Sequence, residues 1–137
     1  MCTYTDRLPE LQIAKEDIIV YKYVNIIYKP KSIFDFLFKR KRIKYFESKY
    51  TSFKYKPHVE YKTILDPFIR SFKDPTVFES GSGFYSFKDV NDCCNVKCII
   101  PKGSEYFLVR NMIYGYYDQW IYHSDRIIIL GCYEKIL

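Results

Sequence analysis

The chain has 137 residues, 48% of them hydrophobic and 20% aromatic, and a formal net charge of +6. That length suits one domain spanning 1–137, and that hydrophobic share excludes a disordered chain. No charged leader precedes an apolar run, and no stretch approaches the roughly 18 apolar residues of a membrane span, so a cytoplasmic protein with no membrane partner is expected.

Met1 to Pro9 is polar and reads as an extended arm. From Ile18 to Tyr28 the residues are β-branched or aromatic almost throughout, which predicts one central strand covered on both faces. Alternation puts Ile18, Val20, Lys22 and Val24 on one side, with Ile19, Tyr21, Tyr23 and Asn25 on the other. Lys22 therefore either snorkels or points into a pocket. Pro30 ends this strand, and Ser32 is placed to cap a short helical turn in which Ile33, Phe34, Leu37 and Phe38 recur at helical spacing. Ser52 to Leu65 alternates around Pro57 and predicts two short edge strands. Asp66 to Ser82 holds two Asp-Pro steps and reads as a loop whose Phe68, Ile69, Phe72 and Phe78 cover a neighbouring surface.

Gly83 to Leu130 carries the clearest strand and turn signals. Gly83 to Ser86 predicts a short strand, and Ser86 is placed to cap a helical turn over 87–94, with Asp89 completing a shortened capping box. Val96 to Ile100 is a compact strand, Pro101 to Ser104 a turn, and Tyr106 to Val109 the returning strand. Asn111 to Gly115 makes a second turn. The aromatic run from Tyr116 to His123 leads into the final core strand, Arg126 to Leu130, with 132–136 as an edge extension. The fold class that follows is α+β, mostly β: a small twisted antiparallel sheet or split barrel with one or two short helices.

Charge is unevenly spread. Residues 29–62 hold eleven Lys or Arg against Asp35, Glu47 and Glu60, a local balance of +8, which leaves the remainder slightly acidic. Lys39, Arg40, Lys41, Arg42 and Lys44 are its densest part, interleaved with Phe and Tyr. Such a patch suits phosphate contacts with base stacking, or it is a solvated face that keeps a Tyr-rich chain soluble. The five cysteines are odd in number and form no regular framework, as expected of reduced thiols. Cys93, Cys94 and Cys98 with His123 contain no CxxC pair, so neither metal nor cofactor is expected. His58, beside Pro57 among charges, reads as an exposed titrating histidine.

Several stretches carry a resemblance. Cys2-Thr3-Tyr4, Ala14-Lys15-Glu16-Asp17-Ile18 with Val20-Tyr21-Lys22, Gly83-Phe84-Tyr85-Ser86-Phe87-Lys88, Cys98 to Phe107 and Ser124 to Ile129 together resemble a family of small uncharacterised proteins of Bacteroidetes and their phages. The likeness covers about half of the chain and misses most of the basic segment, which reads as an insertion at about 29–62. More distantly, the order of elements is similar to the ADP-ribosyltransferase fold. That likeness puts Tyr21-Lys22 at the arginine position, keeps one serine in Tyr85-Ser86-Phe87, and sets Ser124-Asp125 where a catalytic glutamate belongs. The catalytic set is not preserved: Asp is a carbon shorter than Glu, and Lys lacks the bidentate fork of Arg.

Three functions stay open. The first is a non-catalytic binding protein for an anionic, nucleotide-like molecule. Lys22, Lys88 and Arg126 would supply charge, Tyr21, Tyr85, Tyr106, Trp120 and Tyr122 would stack, and Ser86 would donate. In a phage this is a sponge for a host immune signalling nucleotide, acting in the host cytoplasm. The second is a module that binds a host protein or nucleic acid through the basic segment. The third is a nucleotide-processing transferase or hydrolase using Asp125 or His123 as acid or base, with Ser86 positioning the substrate. A homo-oligomer is also compatible with so many Tyr.

Overall fold

The computed structural model describes residues 3–39, 41–49, 53–110 and 119–133. Within them lie fourteen strands and one helix. The first half comprises β1 (Thr3–Thr5), β2 (Gln12–Ile13), β3 (Ile18–Lys22), β4 (Val24–Tyr28), α1 (Ile33–Leu37), β5 (Ile43–Ser48), β6 (Lys54–Tyr55) and β7 (Glu60–Lys62). The second comprises β8 (Ile69–Arg70), β9 (Phe78–Ser80), β10 (Phe84–Phe87), β11 (Val96–Ile100), β12 (Glu105–Arg110), β13 (Trp120–Ser124) and β14 (Arg126–Cys132).

They form an eight-stranded sheet in the order β2-β12-β13-β10-β3-β11-β14-β7 and two three-stranded sheets, β1-β9-β8 and β4-β5-β6. Every pairing is antiparallel. The large sheet is open, with β2 and β7 at its edges, so it is not a barrel. The mostly-β expectation holds, but the α+β label is corrected: a single helix of five residues is too little to form a layer.

Register divides the large sheet into two faces. Val96 opposite Lys22 and Cys98 opposite Val20 set these four on the front. On the front, Val20, Val96, Cys98, Ile100, Phe84, Ile127 and Ile129 pack with Val24, Phe46 and Tyr55 of the small sheet β4-β5-β6. On the back, Val109, Ile121 and Phe107 pack with Phe68 and Phe78 under the other small sheet. Each face is thus dry where a small sheet covers it.

The predicted strand Ile18–Tyr28 is divided at Tyr23, and its halves join different sheets. The cause lies in Asn95. Its backbone N–H donates to the Lys22 carbonyl at 3.0 Å. Its side chain accepts from the Val24 N–H at 3.0 Å and donates to the Val24 carbonyl at 2.6 Å. Val24 therefore needs no partner from β11, and the chain leaves the large sheet without orphaning a backbone group.

Two other expectations change. Ser86 does not cap a helix over 87–94; it lies inside β10, and the Asn91 side chain caps the local turn by accepting from the Cys93 and Cys94 N–H groups at 2.9 and 3.1 Å. The loop 66–82 contains β8 and β9. Of its four large apolar residues Phe68 is buried and Phe78 half-buried, while Ile69 and Phe72 are exposed. The edge strands around Pro57 appear as β6 and β7. The turn predicted at Asn111–Gly115, residues 116–118 of the aromatic run and the extension beyond Tyr133 fall outside the described residues.

The segment read as an insertion contributes to the core, since Phe46 is fully buried and Tyr55 nearly so. Phe46→Ala is expected to cost ~3–5 kcal/mol of stability in urea unfolding, the usual range for emptying a core Phe site. A loss below ~1 kcal/mol would mean that the small sheet is dispensable to the fold.

Candidate functional site

The alternation of β3 turns Lys22 into the interior, where it is only 8% exposed. Its Nζ donates to the Tyr85 carbonyl and lies 5.9 Å from the centre of the Tyr55 ring. Among the described residues it pairs with no carboxylate; the ion pair they contain is Arg42 with Asp35. Burial pulls the Lys22 amine from 10.5 down to about 8. Burial also pushes the nearby Cys98 thiol up to about 12, so that thiol is neutral near pH 7 and gives no counter-charge.

Phe87 pairs with Tyr21 across β10 and β3, which sets Ser86 beside Lys22 on the front face. Ser86 is fully buried, and its Oγ has no hydrogen-bond partner among the described residues. Ser86 faces Tyr122 on β13, and Tyr122 faces Leu108 on β12. The Tyr122 ring meets that of Tyr106 edge-on at 5.5 Å, and burial raises the phenol's pKa. Trp120, on the same face, is 44% exposed. A row of amine, hydroxyl and phenol thus crosses three adjacent strands and ends in partly open aromatics.

Register brings Lys22, Ser86, Tyr106, Trp120 and Tyr122 to this one face, and separates the other candidates from it. Tyr21 and Tyr85 lie on the back, with Tyr21 edge-on to Tyr133 at 5.6 Å. Arg126 also points to the back, because its neighbour Ile127 is in the front core; its Nε is buried without a partner among the described residues. Lys88 is exposed just beyond β10, its backbone N–H on the Trp120 carbonyl.

The acid–base candidates do not converge. His123 is buried on the back, its Nε2 3.3 Å from Ser80 Oγ and in contact with the Ser82 carbonyl. That carbonyl can only accept, so Nε2 carries the proton there. Asp125 sits in the turn between β13 and β14, where its Oδ1 accepts from the Glu105 N–H at 2.9 Å. Ser86 projects from the face opposite His123, and so does Cys98, which separates the four residues weighed as a zinc site.

Two grooves border the site. One of about 750 Å³ is lined by Gln12, Lys15, Asp17, Ile18, Ile19 and Tyr106; another of about 290 Å³ by Asp6, Arg7, Leu108, Arg110 and Trp120. Neither includes Lys22 or Ser86. Lys22 is covered instead by the Tyr55 ring of β6, a two-residue edge strand.

Within the basic segment, Lys39, Lys41, Arg42 and Lys44 are exposed, and Arg40 is outside the described residues. The exposed His58 adopts a positive φ of 63° in its turn. Sequence reasoning missed Tyr55 as the cover of Lys22 and Asn95 as the switch between sheets; both contacts span long sequence separations and leave no local pattern. No helix among the described residues is long and apolar enough to cross a membrane. No protein-family model, curated protein or solved structure matches the chain.

Two pH effects follow. The drop of the Lys22 pKa from 10.5 to about 8 corresponds to about 3 kcal/mol against the folded, charged state. Between these values the unfolded chain holds the proton more tightly, so wild-type stability rises with pH across that window. Lys22→Met should therefore be more stable than wild type at pH 7 by ~1–3 kcal/mol, an advantage that shrinks from pH 8 to 10.5 in denaturant titrations. Burial lowers the His123 pKa below 6.5, so its neutral form supports folding above that value and the support is lost as pH falls below it. The stability lost between about pH 7 and 5 should be smaller in His123→Gln than in wild type; equal losses would show that the histidine does not titrate on unfolding.

Proposed function

We propose that the protein is a non-catalytic binder of an anionic, nucleotide-like small molecule, held on the front of the large sheet. The observation that carries this reading is a buried amine beside a buried hydroxyl, Lys22 and Ser86, the first without a counter-ion and the second without a partner among the described residues. An isolated buried charge and an unmade hydrogen bond are both costly, and an anion repays both at once. A phosphate or carboxylate would accept from Lys22 Nζ and Ser86 Oγ, while Tyr122, Tyr106 and Trp120 offer aromatic surface to the rest of the molecule. Entry requires Tyr55 to turn aside. It stands on a two-residue strand at a sheet edge, where few backbone bonds resist the movement.

The site favours holding over transforming its ligand. Asp125 is engaged with the Glu105 N–H and His123 stands on the other face, so neither of these acid–base candidates faces the anion position. With the resemblance to phage proteins, this supports a sponge that removes a host immune signalling nucleotide from solution.

The test is thermal unfolding with ADP-ribose, NAD and cyclic dinucleotides, followed by mass spectrometry of the recovered ligand. One of them should raise the midpoint by several degrees at ~100 times its Kd, equivalent to about 2.7 kcal/mol, and be recovered intact. Lys22→Met should abolish the shift while leaving the unliganded protein at least as stable. A shift that survives Lys22→Met sinks the assignment of the site, and a consumed nucleotide replaces the binder with an enzyme.

A further inference from the structure

The hairpin of β4 and β5 ends in a segment whose burial is reversed. Ile33, Phe34, Phe36, Leu37 and Phe38 are 77%, 64%, 68%, 71% and 66% exposed, whereas the buried residue of α1 is Asp35, at 3%. The reversal is held in place by polar contacts. Ser32 Oγ accepts from the Asp35 N–H at 3.3 Å, Asp35 Oδ2 accepts from the Ser32 N–H at 2.9 Å, and Arg42 pairs with the same Oδ2 at 3.0 Å. The helix is therefore pinned by its one acid and shows its apolar side chains to the outside. Scattered exposed apolar residues need no explanation, but five within six consecutive positions on one projecting turn do.

The charge around this tip is of one sign. Lys29 and Lys31 precede it, and Lys39, Lys41 and Lys44 follow it, all exposed, while Arg42 neutralises Asp35. Lys31 lies 5.2 Å from the Phe36 ring centre and Lys41 5.6 Å from that of Tyr28, so cations form a collar at the base of the apolar tip.

We propose that this tip docks the protein on an anionic lipid bilayer, with Phe34, Phe36, Leu37 and Ile33 entering the interface and the lysine collar meeting the headgroups. The charge of such a surface complements the collar, and its acyl boundary accepts a convex apolar tip without a preformed groove. Nucleic acid fits less well, because the aliphatic Ile33 and Leu37 present no stacking face and lie where phosphates would approach. The expectation of no membrane partner rested on the lack of a spanning segment, a criterion that interfacial docking escapes.

The full-length chain is tested by sedimentation with vesicles of phosphatidylcholine alone and of phosphatidylcholine with phosphatidylglycerol. Binding should appear on the anionic vesicles and not on the neutral ones. It should fall at least ~10-fold in the exposed-surface variant Phe34→Ser/Leu37→Ser, and similarly in Lys39→Gln/Lys41→Gln/Lys44→Gln. A Phe36→Trp reporter should shift its emission to the blue on binding, which reads insertion independently of any variant that folds poorly. No binding to anionic vesicles overturns the proposal. So does binding without a blue shift, or binding that Phe34→Ser/Leu37→Ser leaves intact. Tighter binding to an RNA or DNA oligonucleotide that the lysine variant abolishes and the Phe34/Leu37 variant retains would assign the collar to nucleic acid instead. Lys22→Met should leave vesicle binding unchanged, which separates this site from the one on the sheet face.

Discussion

A lysine amine enclosed by the front core is the constraint around which this structure is arranged. Lys22 ends β3, the strand between β10 and β11 near the middle of the large sheet, so its side chain has no route to water along an edge. Withdrawing a cation from solvent costs several kcal/mol, and one carbonyl returns only part of that. The local chain makes room for it: Asn95 draws Val24 away from β11 immediately after Lys22, and the strand that follows belongs to another sheet. The residue opposite Lys22 is Val96, which offers neither charge nor a hydrogen bond.

The back face shows that this chain can satisfy a buried polar side chain when folding alone is at stake. His123 is as deeply enclosed as Lys22, yet burial keeps it neutral and both Ser80 and Ser82 contact its Nε2. Asp125 likewise reaches the Glu105 N–H. Against these, an amine still mostly charged near pH 7 and a hydroxyl without a partner among the described residues stand together on the front. Arg126 Nε on the back is also buried without a partner among the described residues, so what sets the front apart is the pairing of a charged amine with such a hydroxyl.

The strands were legible in the sequence wherever a local pattern wrote them. Val96–Ile100, Tyr106–Val109 and Arg126–Leu130 follow from β-branched runs between turn residues and lie within β11, β12 and β14, and the Ser32 cap follows from the helical spacing after it. Alternation also puts Lys22 on the face of Ile18, Val20 and Val24, but it does not decide between a snorkelling and an inward amine. What could not be read depended on partners distant in sequence. The split at Tyr23 needs Asn95, and Ser86 reads as a cap until β13 and β3 claim its strand on both sides. The site candidates were chosen by residue type, and type carries no parity; hence Tyr21 and Tyr85 fall on the back while Lys22 and Ser86, their chain neighbours, fall on the front.

The apolar residues of α1 depart from the usual pattern of burial. Ile33, Phe34, Leu37 and Phe38 recur at helical spacing, a pattern that ordinarily turns toward a core. Here the capping box and the Arg42 ion pair enclose Asp35, while the apolar side chains of α1 stay exposed. A cation inside and an apolar cluster outside are then two forms of one inversion, and the sheet β4-β5-β6 serves both. Its Tyr55 covers Lys22 and its β4–β5 connection carries the exposed tip. The large sheet is a conventional β layer, and the buried amine and the exposed apolar tip lie where this small sheet meets it or extends beyond it.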